Sequence, residues 1–230
     1  IGELKGLARG TVNIATVEGM LEDVVMPMLG DFRQQYPGIR LRVKVAGTHE
    51  VRDLVKQREV DIGIAMSNGT PEDDFVVAHR FDDSVIAVAA PSHEISKMKT
   101  ASVRDLIGRF RYALPDESYG IRSIVDEYLR GIKIEPDFVA NSFMALRTFV
   151  KTQNVLTFLP YLHAYRELNA GTLVGVTLSD IGERPMFIDI NVSRNRRISP
   201  PAKAMLEMFK SATVRSELNR PESIVRPQAR

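Results

Sequence analysis

The side chains able to do chemistry are few and far apart. His49, His79, His93 and His163 are the only four histidines, and none forms the HExxH spacing that puts two imidazoles on one helical face. Cysteine is absent, which excludes thiolate catalysis and disulfides for this sequence. No GxSxG nucleophile elbow and no GxGxxG phosphate turn occurs; Gly2, Gly6 and Gly10 precede the first strand pattern instead of following it. The carboxylate pairs Asp73-Asp74 and Asp82-Asp83 read as turn residues that solvate loops and cap the next element. Arg194, Arg196 and Arg197 make a small basic cluster, read as a solvated connector. These patterns predict no enzyme, no metal and no cofactor.

Hydroxyls and helix starts remain as candidates for binding. Thr16, Thr48 and Ser67 each follow an apolar strand pattern, and Glu18 and His49 stand in the same turns. In the second half Ser118 and Tyr119 precede one helical pattern. Asn141, Ser142 and Phe143 open another, and Phe158 to Pro160 end a strand. A hydroxyl or a free N–H at a helix N-terminus holds an anion or carboxylate. The same serines and threonines also serve as helix caps, and the two roles are compatible.

The elements that position these residues follow from hydrophobic period. Val12 to Ala15 is a short apolar strand, and Val24, Val25, Met28, Leu29 and Phe32 recur at helical spacing over 22–36. Tyr36-Pro37-Gly38 stops that helix. Ile39, Leu41, Val43 and Val45 alternate as a strand; Val51, Leu54 and Val55 mark a second helix, and Val60 to Met66 a third strand. This β-α-β-α-β order predicts a parallel, doubly wound sheet with ligands beyond the strand ends. A second α/β unit repeats the logic over roughly 100–160, with strands expected at Phe110–Leu114, Ile132–Val139 and Val155–Leu159. The final helix opens at Ser199-Pro200-Pro201, which suit a cap and a first turn. The fold class is therefore α/β. Two Rossmann-like lobes with a central cleft are expected, crossing near Val85–Ala90 and Asp189–Val192. Lobe one is then discontinuous, 1–86 plus 192–230, and lobe two is 87–191.

Composition narrows the class. The 230 residues are 44% hydrophobic, enough for a real core, and no apolar run is long enough to span a bilayer. The net charge of +2 gives weak support to nucleic-acid binding by this segment. No signal-peptide pattern opens the sequence, and the lack of cysteine fits the cytoplasm, where the protein is expected. The first residue is Ile1, so a fragment or a processed product is expected.

The segments GTVNIATVEGM, LGDFRQQYPGIRLRV and GTHEVRDLVKQREVDIGIAM resemble the effector-binding, or regulatory, domain of a LysR-type transcriptional regulator. VIAVAAPSHEIS, PDESYGIRSIVDEYL, VANSFMALRTFVKTQNVLTFLP and ISPPAKAMLEMF continue the likeness, which covers about 2–213. Departures stand at Arg58-Glu59, His93-Glu94 and Thr152-Gln153-Asn154-Val155. The resemblance implies a periplasmic-binding-protein-like (type 2) fold and a small polar metabolite as effector. Pocket roles then fall on Thr16, Thr48, Ser142 and Phe158. It also implies a head-to-tail homodimer with Val24, Met28, Arg122 and Val125 at the seam, and a tetramer for the full-length protein. Promoter DNA would be bound through an N-terminal winged helix-turn-helix absent from this sequence. The alternatives are a free-standing solute-binding protein for transport, which shares the fold, and an enzyme of that fold, for which no catalytic constellation speaks.

Overall fold

A computed structural model describes residues 9–70, 72–117, 119–181, 186–194 and 197–218. Two compact units divide them: unit 1 holds 9–82 and 186–218, unit 2 holds 83–181. The chain leaves unit 1 between Asp82 and Asp83, and is back in it by Met186. These edges lie a few residues from the expected 86/87 and 191/192. The shift has a cause: the two strands expected to cross between lobes are each paired along their length inside one sheet.

In chain order unit 1 begins with β1 (Gly10–Thr16), α1 (18–35), β2 (Ile39–Val45), α2 (Thr48–Lys56), β3 (Ile62–Ser67) and β4 (Phe75–Asp83). Unit 2 follows with β5 (Val85–Ala89), β6 (Thr100–Ala101), α3 (Val103–Arg109), β7 (Ala113–Pro115) and α4 (Gly120–Tyr128). It continues through β8 (Phe138–Ala140), α5 (Phe143–Thr152), β9 (Leu156–Pro160), α6 (Tyr165–Asn169) and β10 (Val174–Leu178). The return to unit 1 brings β11 (Met186–Ser193) and α7 (Pro200–Leu218).

The sheet of unit 1 runs β2-β1-β3-β11-β4. β1 is parallel to both β2 and β3, while β11 lies antiparallel to β3. Three carboxyl ends therefore gather on one edge: Thr16, Val45 and Ser67. Val51, Leu54 and Val55 bury the inner face of α2. Gly63 of β3 makes that approach possible, since a Cβ there would overlap Val55 Cγ2. α7 packs on α1 and β1 through buried Met205, Leu206 and Phe209.

α1 starts four residues earlier than its apolar spacing predicts. It consists of α-helical Glu18–Met20, a π turn at Leu21–Val25 and α-helical Met26–Gln35. The wide turn brings Met20 and Val25, five apart, to one buried side, a spacing no α-helix stacks. Pro27 comes two residues after the turn; it has no N–H to donate, and its ring crowds the carbonyl four residues back. Beyond it Met28, Leu29 and Phe32 are buried and Met26 is exposed.

In unit 2 the order is β6-β10-β5-β9, with β7 paired to β8 and bridged to β9 through Tyr112 and Leu156. Ser102 caps α3 by accepting the Asp105 N–H at 3.0 Å. The strand expected over 132–139 is reduced to Phe138–Ala140. Pro136 cannot donate to a ladder, and the neighbouring N–H groups of Glu135 and Asp137 are taken by the hydroxyl and carbonyl of Tyr112, at 2.8 and 2.9 Å.

Gly63→Ala is expected to destabilise unit 1 by about 1–3 kcal/mol, because the new methyl must push α2 off the sheet. Urea denaturation measures this as a lower midpoint. An unchanged midpoint would show that α2 lifts without cost.

Candidate functional site

On unit 1 the strand ends lead straight into helix starts. Val17 precedes α1 and Gly47 precedes α2, both with extended backbone and neither helix with a side-chain cap. The first N–H groups of each helix thus have no intrahelical acceptor and point, with the helix dipole, at the sheet edge. β1 and β2 are neighbours, and Ala46 N–H donates to Thr16 O at 3.0 Å, so the two starts lie side by side. The space at Gly47 is open: a Cβ there would meet nothing within 4 Å. Thr48 is half-buried and His49 exposed in the first turn of α2, and Glu18 is half-buried at the start of α1. Thr48 is therefore the first residue inside α2 and not its cap.

Thr16 and Ser67 are committed to their own backbone. The fully buried Thr16 hydroxyl donates to Val17 O at 3.2 Å, and Ser67 Oγ accepts from Gly69 N at 2.9 Å. They shape the turns that follow β1 and β3. The second turn is also held by Arg52, whose guanidinium donates to Met66 O at 2.9 Å and pairs with Glu72 at 2.7 Å. Three residues at this edge escaped sequence reading. Phe187 lies beside Ser67 in register, Arg80 stacks 4.6 Å over the Phe187 ring, and a Cβ on Gly69 would stand 2.8 Å from that ring. Only the antiparallel register of β11, which no local pattern encodes, brings them there.

On unit 2 the corresponding turns are 116–120 and 140–143. Ser118 lies outside the described residues. Tyr119 precedes α4, which has no side-chain cap, and the space at Gly120 is open. The Tyr119 hydroxyl donates to Asn141 O at 2.7 Å, and its ring meets Phe143 edge-on at 4.5 Å. Ser142 caps α5 by accepting the Ala145 N–H at 3.2 Å. Tyr119, Asn141, Ser142 and Phe143 are thus brought together, with Asn141 exposed and Phe143 only 2% exposed. Phe158 and Pro160 are buried in β9, where they pair with Ala87 and Val85, and present no surface at these turns. Behind Phe143 stands His163, fully buried, with ring centroids 4.7 Å apart. Among the described residues no group of three His, Cys, Asp or Glu side chains is placed to hold a metal ion.

A family model described as LysR substrate binding domain matches residues 5–213. The chain belongs to that family. It is 25% identical over 204 residues to the "Probable RuBisCO transcriptional regulator" of Emiliania huxleyi, covering 84% of this chain and 64% of that protein. The chain thus spans less than two thirds of the length of this curated relative. Among solved structures, the effector binding domain of QuiR in complex with shikimate has a TM-score of 0.66 at 17% identity, over 90% of this chain and 98% of that one. The BenM effector binding domain with benzoate has a TM-score of 0.65 at 18% identity, over 94% and 98%. The mixed α/β fold is therefore that of LysR effector-binding domains, with the type 2 periplasmic-binding-protein-like architecture. No helix among the described residues is long and apolar enough to cross a membrane.

The residues expected at a dimer seam in this LysR domain are Val24, Met28, Arg122 and Val125. Met28 is 5% exposed, Val125 is fully buried and Val24 is half-buried. Arg122 turns into its own unit, donating to Asp126 at 2.8 Å and to Pro115 O at 3.1 Å. Met28 is buried together with Val25, Leu29 and Phe32 on the helix that packs against α7. The exposed apolar side chain of that helix is Met26, at 53%.

Tyr119→Phe is expected to cost about 0.5–1.5 kcal/mol for the lost bond to Asn141 O. Ser142→Ala is expected to cost about 0.5–2 kcal/mol for the lost cap. Tyr119 holds Asn141 and the next residue, Ser142, holds Ala145, so the two bonds share one turn and the double variant should lose less than the sum. A double-mutant cycle in urea measures this, and strict additivity would show the two contacts to be independent.

Proposed function

We propose that this chain is the effector-sensing part of a LysR-type transcriptional regulator and that its effector is a small carboxylated or otherwise anionic polar molecule. One observation carries the choice of ligand: α1 and α2 start side by side at neighbouring strand ends, both without a side-chain cap, with open space at Gly47. Two such helix starts favour negative charge. Thr48, His49 and Glu18 are the side chains of unit 1 proposed to contact the effector, and Tyr119, Asn141 and Ser142 are proposed as the contact surface within unit 2. Thr16, Ser67 and Phe143 shape their turns. Shikimate and benzoate, the ligands of QuiR and BenM, are both carboxylates and agree with this reading.

The full-length protein is proposed to bind promoter DNA through a winged helix-turn-helix, to act in the cytoplasm without catalytic turnover, and to assemble as dimers within a tetramer. Thermal-shift screening of carboxylic acids against their methyl esters tests the ligand class, with shikimate and benzoate as first probes. An acid at about 100 times its Kd should stabilise the fold by about 2.7 kcal/mol. Esters that stabilise as well as the acids would remove the anion from the reading. For the acid so found, Thr48→Val should weaken binding roughly 30- to 150-fold, as for one lost hydrogen bond to a charged group.

The seam is proposed along the outer face of α1, around Met26. Met26→Asp should then shift dimer to monomer in light scattering while the melting temperature holds. Met28→Asp should instead unfold unit 1, since it buries a charge in the unit's own core. A Met26→Asp chain that stays dimeric would move the seam elsewhere.

A further inference from the structure

Unit 2 contains two buried histidines that the proposed effector site does not use. His93 is 3% exposed and ends the loop before a 3-10 turn at Glu94–Lys97. Its Nδ1 accepts the backbone N–H of Ile95 at 3.2 Å, so this nitrogen must be unprotonated for the turn to be capped. Phe110 meets the ring edge-on at 5.0 Å. The charged groups around it are Glu94, which pairs with Arg109 at the end of α3 at 3.1 Å, and Lys97 on its own turn. β10 packs against the turn and carries no titratable side chain.

His163 closes the 3-10 turn Tyr161–His163 and is fully buried, and neither ring nitrogen has a hydrogen-bond partner among the described residues. The cationic Arg147 of α5 donates to the carbonyl of His163 itself at 2.8 Å, and to Glu167 of α6 at 3.2 Å. Lys151 completes that network by donating to Glu167 at 3.0 Å. Asp83 approaches the same turn from the end of β4, accepting from Leu162 N at 3.3 Å. The Tyr161 and Tyr165 rings meet edge-on at 6.1 Å on the same stretch. A proton on His163 would place a charge in apolar surroundings with a guanidinium as neighbour. Unit 1 has no equivalent: His49 is exposed and His79 half-buried.

We infer that His93 and His163 form an acid-sensitive latch, through which mildly acidic pH loosens unit 2 and leaves unit 1 folded. Protonated His93 turns a donor toward the donor it should accept from, and the cap opens. Protonated His163 must leave the space behind Phe143, and Phe143 holds the ring of Tyr119. Burial lowers the pKa of both, opposed by Glu94 at His93 and reinforced by Arg147 at His163, which is pushed to about 3. The folded values lie below the ordinary histidine value of about 6.5, so between them the unfolded chain binds more protons. Stability is therefore full above pH of about 6.5 and falls as pH drops. The opening constant rises up to about tenfold per pH unit for each histidine that stays neutral in the fold.

Hydrogen exchange of the whole chain between pH 7.5 and 5, corrected for intrinsic rates, tests this. Peptides from 83–181 should lose protection while those from unit 1 keep theirs. His93→Asn retains a cap acceptor and His163→Leu retains the bulk, and the double variant should abolish the difference. Equal loss in both units, or an unaltered difference in the double variant, overturns the latch. If that variant does not fold, NMR titration of the imidazole C–H resonances in the wild type decides. Both rings neutral at pH 5 in the folded chain support the proposal, and either ring protonated at pH 6 refutes it.

Discussion

The ion pair between Arg80 and Asp189 sits where unit 1 is cut by the chain. Two donor atoms of Arg80 reach the two oxygens of Asp189 at 2.7 Å, joining residues 109 apart. Asp189 is 3% exposed, so its charge is tolerable only because the guanidinium meets it in a fork. The consequence is register. β11 returns after the whole of unit 2 and must find one slot between β3 and β4. A slip of one residue would turn Asp189 to the opposite face and leave Arg80 unmatched. The same slot sets Phe187 beside Ser67 and so builds one wall of the strand-end edge.

Given that slot, the rest of unit 1 follows from close approach. Gly63 lets α2 lie near the sheet, and α2 in turn brings Arg52 over the end of β3, where it holds Met66 O and Glu72. The uncapped starts of α1 and α2 are therefore positioned by buried packing one turn further along, through Met20 and Val51. Unit 2 reaches a comparable arrangement with aromatic rings in place of a glycine contact, Tyr119 on Phe143 and Phe143 on His163.

How much of this was legible in the sequence depended on how local the cause was. Period-two and period-3.6 apolar spacing located β1 to β3, α2 and α5, because burial repeats within a few residues. Ser142 was readable as a cap for the same reason. β11 was readable as a strand, but its neighbours were not, since register is decided by Arg80 and Ser67, over a hundred residues away. Met28 and Val125 could not be assigned to surface or core by spacing, because that depends on which distant element packs over them. The strand stops short over 132–137 where Pro136 has no N–H to donate and the Glu135 N–H goes to the Tyr112 hydroxyl.

The π turn in α1 is in effect one residue spliced into a helix. Its presence means that the two ends of α1 are not geared together as a single rod would be. The segment 18–20 follows directly on β1, while 26–35 packs against α7. Removing one residue from 21–25 would restore a uniform pitch and barely rotate the residues before it, since five residues of the wide turn cover about the same angle as four of an α-helix.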